Sequence, residues 1–118
     1  MGGAMKTIIA GSRSICDSAL LEIVIKESNF EITEVVSGGA RGVDRLGELW
    51  ATDHDIPVKR FPANWQQQGK RAGYVRNSEM ASYSQALIAL WDGESRGTAH
   101  MVRVAQSSGL KVFVKVIR

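Results

Sequence analysis

At 118 residues the chain is sized for a single domain, and its 44% apolar content is enough to bury a core without a disulfide or a metal staple. One cysteine, Cys16, excludes an internal disulfide and fits a reducing compartment, while no apolar stretch approaches the roughly 20 residues of a membrane span. The net charge of +3 is spread along the chain with no block of five like charges, which disfavours a phosphate-tracking nucleic-acid groove and fits a local anion pocket.

The N-terminus lacks a basic region followed by a long apolar region and a cleavage site, so a cytoplasmic protein with no membrane partner is expected. Residues 1–4 read as a start-site remnant, and residues 5–118 as one domain. The first apolar run, 6–10, ends at Gly11-Ser12-Arg13 and predicts a strand. A helix is expected over 14–28, with Leu20 and Val24 on one face and Cys16 as a small buried group near its start. A second strand, 33–37, ends at Gly38-Gly39 and leads into a helix over 42–53 carrying Val43, Leu46 and Trp50 at helical spacing. A third strand is expected over 57–61. An irregular stretch over 62–70 follows, long for a compact domain. The next helix is expected over 71–83, a strand over 86–91 and a helix over 97–108, with Gly109 as its C-terminal cap. A valine-rich strand over 111–117 closes the chain.

Strands alternating with helices imply right-handed βαβ units. The expected architecture is α/β in three layers: a five-stranded, mostly parallel sheet of order 3-2-1-4-5 with helices on both faces. The direction of progress then reverses between the first and fourth strands, and ligands of such sheets bind beyond the carboxyl strand ends at that point.

Three glycine-bearing turns stand at those ends. Glycine lets a backbone come close to a ligand, and a helix starting just afterwards points unpaired N–H groups and partial positive charge at the same place. Phosphate is the natural guest. The first turn offers Gly11, Ser12 and the guanidinium fork of Arg13, with Ser12 or Ser14 as a helix cap. The second turn holds Gly38, Gly39 and Gly42 within five residues, more than one turn needs, together with Arg41 and Asp44. Asp44 could orient Arg41, accept a ribose hydroxyl or favour the helix start. It is neither a dinucleotide fingerprint nor a P-loop, because no Gly-Lys-Ser/Thr follows. The third turn, Asp92-Gly93-Glu94-Ser95-Arg96-Gly97-Thr98, offers hydroxyls and N–H groups to a phosphate and Asp92 to a sugar or base. In the irregular stretch, Asn64 and Trp65 read either as base-binding residues or as a plug onto the core. His54 and His100 share no ligand spacing with Cys16, so no metal site and no obligatory cofactor are expected.

The segments SGGARGVDRLGELWA, FPANWQQQGKRAGYVRNSEM and WDGESRGTAHM, in this order, resemble the SLOG superfamily of Rossmann-like nucleotide-sensing and nucleotide-processing domains, and within it the YspA/YpsA-related branch. The resemblance covers nearly the whole chain from Met5 and implies that Gly38, Gly39, Gly97 and Thr98 line a phosphate site. It also places Arg76 where the superfamily's phosphoribohydrolases carry a functional arginine, with Asn77 in place of the lysine that follows it there. His100 falls near the position of those enzymes' catalytic glutamate. A histidine cannot supply that negative charge to an oxocarbenium-like transition state, so turnover would rest on Arg76 with Glu79, Asp92 or Glu94. The leading expectation is binding or sensing of a small phosphate-bearing nucleotide derivative. The alternatives are a hydrolase cleaving an N-glycosidic or phosphate bond and, third, a single-stranded nucleic-acid binder. The superfamily often pairs its subunits around the site, which makes a homo-oligomer a further expectation.

Overall fold

A computed structural model describes residues 4–118; residues 1–3, most of the expected start-site remnant, lie outside them. Five strands form one parallel sheet, β1 (Lys6–Gly11), β2 (Glu34–Ser37), β3 (Val58–Arg60), β4 (Ala86–Trp91) and β5 (Lys111–Val116), in the order β3-β2-β1-β4-β5. The helices are α1 (Ser18–Ser28), α2 (Val43–Asp53), the short α3 (Trp65–Gln68), α4 (Ala72–Tyr83) and α5 (Arg96–Ser107). The architecture and strand order are those expected from the alternation of elements.

Alternation along the central strands assigns the two faces, because successive side chains leave a strand on opposite sides. Ile9, Val35, Ile88 and Leu90 join Leu21, Val24 and Ile25 of α1 and Val43 and Ala51 of α2 in one core. Ile8, Ala10, Val36, Leu87 and Ala89 join Met80 and Ala81 of α4 and Met101 and Ala105 of α5 in the other. The runs that read as continuously apolar are therefore buried on both sides, as a parallel sheet between helices requires. Among the described residues no helix is long and apolar enough to cross a membrane.

Two expectations near the N-terminus are corrected. α1 begins at Ser18, not at residue 14, and its cap is Asp17, whose carboxylate accepts from the Leu20 N–H at 3.1 Å. The residues before it form a turn in which the Ile15 N–H donates to the Ser12 carbonyl while the Ile15 side chain enters the core. Cys16, set in that turn, is exposed and not buried. The stretch over 62–70 is also less irregular than expected. Asn64 caps α3 by accepting from the Gln67 N–H at 3.1 Å, and a 3-10 turn over Gly69–Arg71 feeds directly into α4.

Candidate functional site

The carboxyl ends of β1, β2 and β4 are tied together by hydrogen bonds from the turns that follow them. Ser12, fully buried, donates its N–H to the Leu90 carbonyl at 3.1 Å, and its hydroxyl accepts from the Asp92 N–H at 3.0 Å. These bonds extend the β1–β4 pairing one step past its last ladder pair, Gly11 with Leu90. Asp92 in turn accepts from the N–H groups of Glu94 and Ser95, each at 2.8 Å, and those bonds hold its carboxyl below the usual aspartate range. Ser95 caps α5 by accepting from the Thr98 N–H at 3.3 Å and shares a 3.0 Å hydroxyl–hydroxyl bond with Thr98. Asn77 on α4 is buried and donates to the Gly97 carbonyl at 3.3 Å, which joins α4 to the first turn of α5. Its amide also lies 3.1 Å from His100 Nδ1. Burial, reinforced by the charge of Arg103, holds the imidazole below its ordinary pKa, so a neutral ring accepts at Nδ1.

Above this floor lies an inner cavity of about 250 Å³. Ala10, Gly11, Met80 and Met101 form its base; Arg13, Ala40, Asp44, Arg76, Asn77, Ser95, Gly97 and Thr98 form its sides; Trp65, Lys70, Gly73 and Tyr74 form its outer wall. It sits at the end of β1, where the chain's progress reverses. A second, outer cavity of about 270 Å³ opens beside it, bounded by Gly38, Gly39, Arg60, Pro62 and Ala63, and shares Arg13, Ala40, Trp65 and Arg76 with the first.

Arg76 is the hinge of the charge distribution. Its Nη1 donates to the Gly38 carbonyl at 2.7 Å, while its buried Nε has no hydrogen-bond partner among the described residues. Burial lowers its pKa, Asp44 opposes that, and the nearby charge of Arg13 lowers it further; at an arginine's pKa the group stays protonated. Asp44 is only 6% exposed and accepts from the Ala40 N–H at 3.2 Å. Burial raises its pKa from 3.8 to about 6, against the backbone bond from Ala40 and the charge of Arg76. Glu48 and Arg60 brace the outer cavity. Arg60 donates Nε and Nη2 to the two Glu48 oxygens at 2.9 and 2.6 Å, and the Ser37 hydroxyl donates to Glu48 at 2.7 Å. Burial alone would raise Glu48, but the bonds from Arg60 and Ser37 and the charges of Arg60 and Arg45 carry it below its usual value.

Residues 5–68, more than half of the sequence, match the model of the YspA, cpYpsA-related SLOG family. The chain belongs to that family. Gene 61 protein of Mycobacterium phage D29 is 37% identical to this SLOG chain over 85 residues, covering 67% of this chain and 68% of the phage protein. The solved structure of DNA processing protein A from Streptococcus pneumoniae matches 94% of the SLOG chain with a TM-score of 0.74. The sequence identity there is 19%, so this likeness speaks to the fold, and the chain spans 50% of that longer protein.

The SLOG fold brings together Gly11, Arg13, Asp44, Trp65, Arg76, Asn77, Ser95, Gly97 and Thr98 around the inner cavity, and Gly38 and Gly39 around the outer one. Other expected residues serve the scaffold. Ser12 spends its hydroxyl and Asp92 its Oδ1 on the turns, and Asn64 spends its side chain on the α3 cap. Gly42 has φ +75°, and a Cβ there would lie 2.5 Å from the Ser12 carbonyl, so this glycine lets the first and second turns cross. Gly93 has φ +85° in its turn. Glu79, Arg41 and Arg96 are exposed and line neither cavity, and Glu94 is likewise exposed. Trp65 is 55% exposed and lines both cavities, so it does not plug the core. Sequence reading missed Arg60, Lys70, Tyr74 and Ala63 as lining residues. For Tyr74 a signal was present, since it lies two residues before Arg76; in the fold its ring centroid sits 4.4 Å from that of His100.

Proposed function

We propose that this chain binds a phosphate-bearing nucleotide derivative in the inner cavity. The observation that carries the reading is the convergence of Arg13 and Arg76 on one cavity at the sheet's switch point, where the single carboxylate of Asp44 offsets part of their charge and the buried Arg76 Nε has no hydrogen-bond partner among the described residues. An anion placed between the two guanidiniums would balance the remaining charge. Lys70 adds a third cation, the first turn of α5 adds helix-dipole attraction, and Trp65 and Tyr74 offer flat surfaces for a base. SLOG membership supports the same reading.

Isothermal titration with nucleoside mono- and diphosphates tests it. Wild type gives saturable heats, and Arg76→Ala weakens affinity by roughly 10- to 100-fold, the worth of about 1.5–3 kcal/mol for hydrogen bonds to a charged group. Absence of binding to any phosphate-bearing nucleotide contradicts the proposal.

N-glycosidic hydrolysis is the second reading, and Asp44 is the observation in its favour. A carboxyl of pKa about 6 in a ligand cavity suits proton transfer near neutral pH. Asp44 is the one carboxylate among the described lining residues of the inner cavity, however, whereas carboxylate-pair mechanisms use two. Release of free base from a nucleoside monophosphate, abolished by Asp44→Asn, would move the assignment from binding to turnover.

A further inference from the structure

The segment between β3 and α4 is fastened at both ends and loose between them. At its start the Phe61 N–H donates to the Ser37 carbonyl at 2.8 Å, and the Phe61 ring packs against the core on the α4 and α5 side of the sheet. At its end Ala72, the first residue of α4, is fully buried. Between these anchors every residue from Asn64 to Arg71 is exposed, and α3 buries none of its four. Among the described residues, the side-chain hydrogen bonds of this stretch stay inside it: Asn64 Nδ2 donates to Gln67 Oε1 at 3.0 Å, and the Gln67 N–H donates to Asn64 Oδ1 at 3.1 Å. The piece thus holds its own shape while its attachment is weak, which is the character of elements that open and close over sites. Gly69 supplies a pivot. It takes φ +57° and ψ −135°, and a Cβ there would meet nothing within 4 Å, so backbone freedom and not tight packing calls for glycine.

Two side chains of the segment border the inner cavity, Trp65 near one end and Lys70 near the other. Trp65 borders both cavities and is still 55% exposed, so its indole has apolar surface left to bury. Its ring is lightly seated, passing Gly73 where an added Cβ would lie 3.6 Å away. Inward rotation would bury that indole, but it would also carry Lys70 toward Arg13 and Arg76, with Asp44 as the one carboxylate among the described lining residues. Like charges oppose that movement while the cleft is empty, and an anion in the cleft reverses the sign. We propose that residues 62–71 form a charge-gated lid: Lys70 holds it off the empty cleft, and an anionic occupant lets it close with Trp65 as the cover. This rests on the binding reading above and adds its regulation. Closure would exclude water from the occupied cleft and slow escape of the occupant.

Amide hydrogen exchange over residues 66–71 tests it, with ADP as the probe and its binding followed separately by isothermal titration. In wild type, saturating ADP should slow exchange at these amides by at least about tenfold. Trp65→Ala, saturated with ADP, should lose most of that slowing while the amides of Gly97 and Thr98 stay protected. Lys70→Gln, which removes the repulsion, should slow exchange at 66–71 by about threefold or more with no ADP present. Melting curves confirm that both variants fold. ADP that binds without slowing exchange at 66–71 overturns the lid and leaves the binding reading standing. Absence of ADP binding in wild type overturns both. Exchange in the empty, folded Lys70→Gln variant equal to that of wild type overturns the charge gate.

Discussion

Asp44 shows how one buried side chain couples the site to stability. Its carboxyl titrates near 6 in the folded chain and near 3.8 when exposed, so between those values the folded state holds a proton that the unfolded state has lost. Stability contributed by the neutral form is complete below about pH 4 and falls as pH rises to about 6, by roughly 3 kcal/mol at 1.36 kcal/mol per unit. Glu48 runs the other way. Its pKa is depressed, so its contribution is present above 4.5 and is lost in stronger acid. His100, held below its ordinary pKa, adds stability as pH rises toward 6.5, so Asp44 is read by difference: the stability of wild type minus that of Asp44→Asn, from denaturant melts, should fall as pH rises from 4 to 6. A difference that stays flat over that range would mean that Asp44 is not the group responsible. At this scale the sequence marks which residue types gather at the turns but not how their atoms are spent. Ser12, Asp92 and Asn64 look like ligand donors because short polar side chains near glycines serve either purpose. Only the folded turns show that Ser12 Oγ, Asp92 Oδ1 and Asn64 Oδ1 accept from backbone N–H groups. Arg60 escaped notice because its role arises from pairing with Glu48 across twelve residues of sequence, which no local pattern records.

The helix starts differ in ways that substitutions can separate. α5 opens on a side-chain cap, Ser95, and a Cβ added at Gly97 would meet nothing within 4 Å. α2 opens on Gly42, whose left-handed φ and tight crossing with Ser12 and Arg13 leave no room for one. Gly42→Ala should destabilise by about 2 kcal/mol or more, read by denaturant midpoint. Gly97→Ala should be neutral or stabilising by up to about 1 kcal/mol, because alanine is the better helix former. If Gly97 meets the ligand, that same variant loses affinity while gaining stability. Equal loss of stability in both variants would contradict this distinction. The elements themselves were well marked by apolar runs and periodicity, and β4 and the bulk of α2, α4 and α5 fall where those signals lie. The errors come from local capping chemistry. Asp17 outcompetes Ser14 as the α1 cap once Ile15 is drawn into the core, and Asn64 builds a helix inside an apparent loop.

The whole molecule sets the kind of partner. Its strand order was readable because right-handed crossovers leave few topologies, and the cavity that forms the candidate site lies at its switch point. The convergence of α4 side chains with the first and third turns was legible only through the family resemblance, which singled out Arg76 and Asn77; composition and periodicity do not mark it. Three arginines gather there, Arg13, Arg60 and Arg76, within a net charge of only +3. Any binding of single strands should therefore release few counterions. Three phosphate contacts give a log–log salt slope of about −2, against −5 or steeper for a groove neutralising seven or more. A steep slope would restore the nucleic-acid reading.

The most direct measurement is an amide chemical-shift titration of the isotopically labelled protein with a nucleoside diphosphate. The account predicts that perturbed amides cluster at Gly11–Arg13, Gly38–Ala40, Arg76–Asn77 and Gly97–Thr98, all at the carboxyl ends of the strands. Perturbations centred on the opposite edge of the sheet, or none at saturating ligand, would contradict it.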